Sequence, residues 1–475
     1  MSARLPWPGG SSRTGLFRTR PLWRRPCSHG WQWRHAVLVH LLLLLLLFLP
    51  AVLWILWTMR MPALLAAGVQ TPARNATTAP STRHAGFPRL LGMNIGEKNY
   101  HESGYQRQLA RLDIAILGFY RGWSDAETGT MRDVVRNLKL LHPGMLVGQY
   151  TVLNEASNDP ANTAENDKQA TLSQNGWWLR NAAGDQVQWT RRYQAWETNI
   201  TGWTSPDGRG RRYAEWLAER DFAVFFQPVP EFDIWYVDNV MDHQRIGAAD
   251  WQGRGHDDAG TDARVSQAFR VGQSRHWQAA HALAPALTVM GNPDNDLSSA
   301  EYRGRLQGAF LEGLMGQRWS LYERSGWRDM MARYFTVNDN LAAPRIVGFH
   351  VFGHIDDFRL LRFALSSCLM GDGYFSFTDK DRGYSSVAWF DEFDADLGFP
   401  IDPPQSQPWQ DGIYRRRFQN GMVLVNPDGV AHAVAIDNGY RHLQGEQARQ
   451  INTGGRTKRV VLPPRDGLLL LKWHD

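Results

Sequence analysis

The chain has 475 residues, 43% of them hydrophobic and 21% charged, with two cysteines and a formal net charge of +5. That length and cysteine count exclude a small disulfide-stapled scaffold. The positive balance does not indicate nucleic acid, because an arginine-rich N-terminus supplies it and the remainder beyond residue 60 is nearly neutral.

Residues 1–35 form a basic tail with Arg4, Arg13, Arg18, Arg20, Arg24, Arg25 and Arg34 and no acidic residue. Residues 36–57, AVLVHLLLLLLLFLPAVLWILW, hold no Asp, Glu, Lys or Arg. A bilayer core needs roughly 20 apolar residues as a helix, and His40 and Pro50 are tolerated in one. The arginines keep the preceding tail in the cytoplasm. The expectation is a single-pass membrane protein with an exported domain, periplasmic or extracellular, and the lipid bilayer as a partner through residues 36–57. A cleavable signal peptide is the alternative; its apolar core is shorter, about 7–15 residues, and PALLAAG at 62–68 is a mediocre cleavage site. In this topology Cys27 and Cys368 stand on opposite sides of the bilayer and do not pair. Residues 58–88, rich in Thr, Ala and Pro, read as a linker. Asn75-Ala76-Thr77 is a glycosylation acceptor only in a eukaryotic host.

From residue 89 the pattern changes. Short apolar runs recur at 92–95 (GMNI), 114–120 (IAILGFY), 145–153 (MLVGQYTVL), 234–240 (IWYVDNV), 287–292 (LTVMGN), 308–313 (GAFLEG), 345–351 (RIVGFHV) and 373–377 (GYFSF). Near-continuous apolar runs fit parallel strands buried on both faces. Helical patterns lie between them, as at 130–142 and 263–283. Eight strands alternating with helices predict an α/β protein, a (β/α)8 TIM barrel over 89–407. An open doubly wound sheet is disfavoured, since no Gly-rich phosphate turn follows the first run. The connection between the third and fourth runs is long and Trp-rich, with NGWWLR, QWT and AWETNITGWT. Long loops after barrel strands lie on the C-terminal face, where such enzymes build their sites. Beyond residue 408, Asn-Gly, Pro-Asp-Gly and Arg-Asp-Gly turns between short apolar runs predict a hairpin-rich antiparallel β-sandwich over 408–475.

Polar residues at C-terminal strand ends are the candidates for chemistry. Asp238 ends IWYVDNV, and Glu312 ends GAFLEG. Glycoside hydrolysis needs two carboxyl groups, one to protonate the leaving oxygen and one to attack the anomeric carbon or activate water. Strand-end carboxylates also cap helices or pair with arginines, so either residue alone is an ambiguous signal. Second-tier positions are Asn239, Asp242, Asn292, Asp294, His350, Asp372 and Asp379, with Glu97 and Glu155 weaker. No HExxH, CxxC, EF-hand loop or P-loop is present. GHDD at 255–258 reads as a solvated loop, and GWSDAE at 122–127 lacks the esterase elbow.

The pairing of WYVDNV with GAFLEG, followed by FALSSCLMGDGYFSF at 363–377 and RRFQNGMVLVNP, resembles the hypothetical glycosyl hydrolase-like family 15 barrels. These are related to the α-amylase and α-galactosidase-like glycoside hydrolases. The resemblance runs over roughly residues 90–475. It implies a nucleophile on the fourth strand, matching Asp238, and an acid/base on the sixth, matching Glu312. An α-amylase arrangement, with its acid on the fifth strand, fits less well, since GNPDND has no Glu and only Asp294 could serve. The expectation is a membrane-anchored glycoside hydrolase acting on a poly- or oligosaccharide, with Asp238 and Glu312 catalytic and no metal or cofactor. Asn239, Asp242, Asn292, Asp294, His350 and Asp372 are expected to bind the carbohydrate, with Trp177, Trp178, Trp196 and Trp203 as stacking platforms. A catalytically silent carbohydrate-binding barrel in an envelope polysaccharide assembly is the alternative. A metal-dependent deacetylase or a lyase is disfavoured.

Overall fold

The computed structural model describes residues 86–96, 99–118, 130–157, 166–191, 194–316, 320–321 and 326–473. The basic tail, the apolar run 36–57, nearly all of the linker, and Glu97 lie outside the described residues. Among the described residues no helix is long and apolar enough to cross a membrane.

Eight parallel strands form one sheet: β1 (Leu91–Asn94), β2 (Ile114–Leu117), β3 (Leu146–Val152), β4 (Ile234–Val240), β5 (Thr288–Pro293), β6 (Gly308–Met315), β7 (Ile346–Gly353) and β8 (Tyr374–Asp379). Their spatial order is their chain order. A parallel bridge from Leu90 to Phe375 brings the two edges together, so the sheet nearly closes into a barrel. The apolar runs are strands because both faces are covered, by the barrel interior and by outer helices. Ile234, Trp235, Tyr236 and Val237 of β4 are all buried.

The helices are α1 (Ser103–Leu109), α2 (Met131–Leu141), α3 (Asn166–Asn175), α4 (Tyr213–Asp221), α5 (Ala263–Leu283), α6 (Gly326–Asn340) and α7 (Phe358–Cys368). Their starts are chemically marked. Thr130 and Asp133 form a reciprocal capping box before α2, and Asp262 and Asp357 cap α5 and α7 through their carboxylates. Such caps satisfy backbone N–H groups that the first turn leaves open, each contributing about 1 kcal/mol.

The C-terminal region is one five-stranded antiparallel sheet, not the expected two-sheet sandwich. It contains β9 (Tyr414–Arg417), β10 (Gly421–Asn426), β11 (His432–His442), β12 (Arg456–Leu462) and β13 (Asp466–Lys472). Alternation along β10 explains how one sheet suffices. Val423 and Val425 join the barrel core, while Met422 and Leu424 join a second cluster with Val434, Ile436, Val460, Leu462, Leu468 and Leu470. Residues of the β11–β12 hairpin thus cover the face that a second sheet would otherwise bury. Two ion pairs fasten this sheet to the barrel: Arg362 of α7 to Asp466 at 2.8 Å, and Arg416 of β9 to Asp372 at 2.6 Å.

Candidate active site

Asp238 and Glu312 sit near the C-terminal ends of β4 and β6, each at an irregularity. β4 shifts register against β5 between Val237 and Val240, and Asn239 has a φ of 65°. β6 shifts register against β7 between Leu311 and Met315, and Gly313 has a φ of 59°. A bulge re-aims a side chain out of the strand's alternation. Left-handed backbone is open to Gly and tolerated by Asn. The effect is plain in β6, where Glu312 is exposed between residues that are buried.

The side chains converge. Asn292, from β5, donates through Nδ2 to Asp238 Oδ1 at 3.0 Å and to Glu312 Oε2 at 2.9 Å. Both distances start from one nitrogen, so the two carboxylate oxygens are separated by no more than their sum, 5.9 Å. With the two amide N–H bonds about 120° apart, the separation is about 5 Å. Tyr150 of β3 donates its hydroxyl to Asp238 Oδ2 at 2.5 Å, and the Asn239 N–H donates to Oδ1 at 2.9 Å. The Tyr384 hydroxyl, from the segment after β8, donates to Glu312 Oε1. Tyr236 lies buried in this group and stacks on Tyr150 at 5.6 Å.

The tip of Glu312 reaches solvent, but the walls of the barrel mouth crowd the carboxyl. That desolvation raises its pKa above the usual glutamate value, and the charge of Asp238 adds to the rise. The bonds from Tyr384 and Asn292 oppose it. A raised carboxyl is suited to proton donation near neutral pH.

A second layer stands behind Asp238. Arg245 pairs with Glu155 at 2.7 Å and with Glu197 at 2.8 Å, and donates to Asn239 Oδ1 at 3.2 Å. Asn154 Nδ2 holds the Asn239 carbonyl at 2.8 Å. The left-handed residue beside Asp238 is therefore gripped by both side chain and backbone. Burial drives Glu197 up to about 7, and Arg245 opposes that rise.

The other expected residues divide. Asn239 and Asn292 belong to the pair's own shell. Asp242 and Asp294 form a neighbouring cluster, in which Asp294 Oδ1 accepts the Asp242 N–H at 3.0 Å and Asp242 pairs with Arg270 and His243. Asp379, at the end of β8, is buried and accepts the Asp381 N–H at 3.1 Å. Three expectations need correction. His350 is wholly buried, so it does not meet substrate. Its Nδ1 accepts the Gly313 N–H at 2.9 Å and its Nε2 meets Thr378 Oγ1 at 2.9 Å, which braces the bulge after Glu312. Burial lowers its pKa to about 3, so the ring is neutral. Asp372 precedes β8 and so lies at the opposite end of the barrel, bound to Arg416. Trp177 is 0% exposed and Trp178 6%, so neither offers a stacking face. Trp177 packs on Tyr213 and Trp216 of α4 and donates to the Ser205 carbonyl. Trp196 is half-buried and Trp203 is 38% exposed.

Sequence reasoning missed Tyr150, Tyr384, Asn154 and Arg245. Tyr150 carried a signal, being the aromatic with a polar tip near the end of the third run. Tyr384 carried none, since it lies 72 positions from Glu312 in a single 3-10 turn, Gly383–Ser385. Among the described residues no group of His, Cys, Asp or Glu is arranged to hold a metal ion.

No curated protein sequence matches the chain. Among solved structures, the chain is similar to an α-amylase from Anoxybacillus (TM-score 0.45, 10% identity, covering 79% of this chain and 90% of that one). It is similar to Amy13B from Eubacterium rectale (TM-score 0.48, 9% identity, 82% and 95% covered). It is also similar to the glycoside hydrolase domain of PelA from Pseudomonas aeruginosa (TM-score 0.39, 13% identity, 64% and 98% covered). Residues 140–422, more than half of the chain and including β3 through β9 with Asp238 and Glu312, match hypothetical glycosyl hydrolase family 15, and the chain belongs to that family.

Proposed function

We propose that this protein is a membrane-anchored glycoside hydrolase that cleaves a poly- or oligosaccharide with retention of configuration. Asp238 is the nucleophile and Glu312 the acid/base. The observation that carries the reading is the single Asn292 amide reaching both carboxylates. It keeps one oxygen of each within 5.9 Å of the other. Retaining enzymes hold their carboxyl groups about 5–5.5 Å apart, whereas inverting ones leave about 6.5–9.5 Å for a water.

In the first step Glu312 gives its proton to the glycosidic oxygen, the bond from that oxygen to the anomeric carbon breaks, and Asp238 bonds to the carbon. In the second, Glu312, now ionised, takes a proton from water as the water oxygen displaces Asp238. Tyr150, Asn292 and the Asn239 N–H fix the attacking carboxylate, so its orientation is paid for on folding, before substrate arrives. The uncharged run 36–57 behind seven arginines supports a membrane anchor with the barrel exported.

The test is a glycan-library screen with the full-length chain beside Asp238→Asn and Glu312→Gln variants, read as released reducing ends. Release by the natural chain and its loss in both variants is expected. Variants that release sugar as fast as the natural chain remove the pair from the reaction. Glycan binding without release points instead to a silent binding barrel.

A further inference from the structure

One polar side chain beside the carboxylate pair takes no part in holding it. Residues two apart on a strand share a face, so Tyr236 of β4 turns into the barrel with Asp238, while Trp235 turns outward onto Phe226 and His276. The Tyr236 ring stacks on Tyr150 of β3 at 5.6 Å and meets Phe310 of β6 edge-on at 6.3 Å. Phe310 stands two residues before Glu312 as Tyr236 stands two before Asp238, so the ring lies in the layer beneath both carboxylates. Tyr236 is 1% exposed, and its hydroxyl has no hydrogen-bond partner among the described residues. Three other buried tyrosines, Tyr100, Tyr302 and Tyr334, each donate theirs to a backbone carbonyl. Among the described residues the sealed polar atoms that lack a partner lie elsewhere, so the Tyr236 oxygen opens to the cleft. The polar side chains around it are committed, Tyr150 to Asp238, Tyr384 to Glu312 and Asn292 to both.

We propose that the Tyr236 hydroxyl donates its hydrogen bond to one ring hydroxyl of the sugar unit cleaved between Asp238 and Glu312. The inference rests on the glycan-cleaving reading of that pair and adds a residue that selects the sugar. As packing alone, a phenylalanine would fill this layer without taking a hydroxyl out of water. A donor left unmatched in a crowded site costs free energy, and a partner that arrives with substrate removes that cost. Burial, and after it the charges of Asp238, Glu312 and Tyr384, hold the phenol well above the usual tyrosine pKa, so it keeps its proton and stays a donor. Both carboxylates act at the anomeric carbon, so a donor beneath the two meets the sugar being cleaved, not a unit further along the polymer. A site built to donate to a hydroxyl rejects the analogue that lacks it, because the donor is then stranded. Sugars of one size differ in which positions carry a hydroxyl and on which face, so this contact discriminates among them.

The test uses the full-length natural chain and Tyr236→Phe, which keeps the ring and both of its aromatic contacts. The substrates are 4-nitrophenyl glycosides of mono- and disaccharides of hexoses and N-acetylhexosamines, in both anomers. For the glycoside that the natural chain cleaves best, every monodeoxy analogue of the unit bearing the nitrophenyl group is assayed with both enzymes as kcat/KM. The Phe variant is expected to cleave the parent glycoside about 10- to 100-fold more slowly. At one position the parent-to-deoxy rate ratio of the natural chain is expected to fall by that same factor in the Phe variant, and at the other positions to be unchanged. The ratio is taken within each enzyme and then compared, so neither the intrinsic reactivity of a deoxy sugar nor the folded fraction of a variant enters. Ratios that agree between the two enzymes at every position overturn the contact. So does a Phe variant slowed by more than about a thousandfold, since one neutral hydrogen bond does not account for such a loss. Both of those results leave the hydrolase reading standing, because the natural chain still turns over. A natural chain that cleaves none of the glycosides overturns the hydrolase reading, and the contact falls with it.

Discussion

The mouth of the barrel and its seam with the C-terminal sheet treat charge in opposite ways. At the seam, Arg362 meets Asp466 with both side chains under a tenth exposed, and Arg416, 1% exposed, meets Asp372 and the carbonyls of Leu369 and Gly371. Both of these carboxylates have a guanidinium. At the mouth, the groups reaching Asp238 and Glu312 are an amide, two phenols and a backbone N–H. Among the described residues no Arg or Lys ion pair reaches either of them. Two full charges about 5 Å apart repel by about 3 kcal/mol at an effective dielectric of about 20. Protonating one of them relieves this, and Glu312 is the one whose pKa is raised. The seam uses charge to fasten a domain. The mouth leaves a carboxyl pair without a cation, an arrangement that lowers stability and gains an acid beside a nucleophile.

This contrast can be broken from either end. The largest effect is expected at the mouth. Asp238→Asn should lower the rate of glycan hydrolysis by about 10⁴-fold or more while leaving the melting temperature near that of the natural chain, since an amide oxygen at the Oδ1 place still accepts the Asn239 and Asn292 N–H bonds and the amide NH2 donates to the Tyr150 oxygen. Initial rates and thermal melts check both halves. Glu312→Gln should cost about 10²–10⁴-fold on natural glycans and far less on aryl glycosides with good leaving groups, which need no acid. Because Glu312 must be protonated to act, kcat/KM should fall as pH rises through its folded pKa, which lies above the ordinary 4.5. That alkaline limb should vanish in Glu312→Gln on the activated substrates. At the seam the signs reverse. Arg362→Ala should destabilise the fold by about 3–5 kcal/mol, because it strands Asp466 in a buried site. Denaturant unfolding would show that loss, with kcat of the folded fraction unchanged. The smallest effect sharpens the comparison. Tyr384→Phe removes a bond that lowers the Glu312 pKa, so the alkaline limb should move up by about half to one pH unit. A downward movement would show that Tyr384 does not stabilise the charged form.

Much of the barrel is legible in the sequence, and the reason is local. IWYVDNV and RIVGFHV are continuous apolar runs because the strands they form are buried on both faces, and their bounds fall within two residues of the observed strands. Asp238 and Glu312 stand out for the same reason, as carboxylates interrupting otherwise buried strands. What escapes the sequence depends on tertiary cover. Trp177 and Trp178 sit in a connection that reads as a loop on the active face, but α4 packs over Trp177 and removes it from solvent. Trp189, in the same connection, is 44% exposed and lies against the Arg245 guanidinium. His350 reads as a strand-end ligand, yet the β6 bulge turns the Gly313 N–H onto its ring and commits it to the frame. Tyr384 comes from a three-residue 3-10 turn and Arg245 from a loop, both too short or irregular for periodicity to mark the direction of a side chain.

The central claim is that Asp238 bonds to the sugar while Glu312 moves the proton. The most direct measurement is to incubate the full-length chain with a panel of 2-deoxy-2-fluoroglycosyl fluorides, whose leaving group needs no acid and whose covalent intermediate breaks down slowly, and to map the adduct by peptide mass spectrometry. The account predicts one glycosyl label on Asp238, present in Glu312→Gln and absent in Asp238→Asn. A label on Glu312 or on any other carboxylate, or a chain that hydrolyses these fluorides without ever carrying a label, contradicts it.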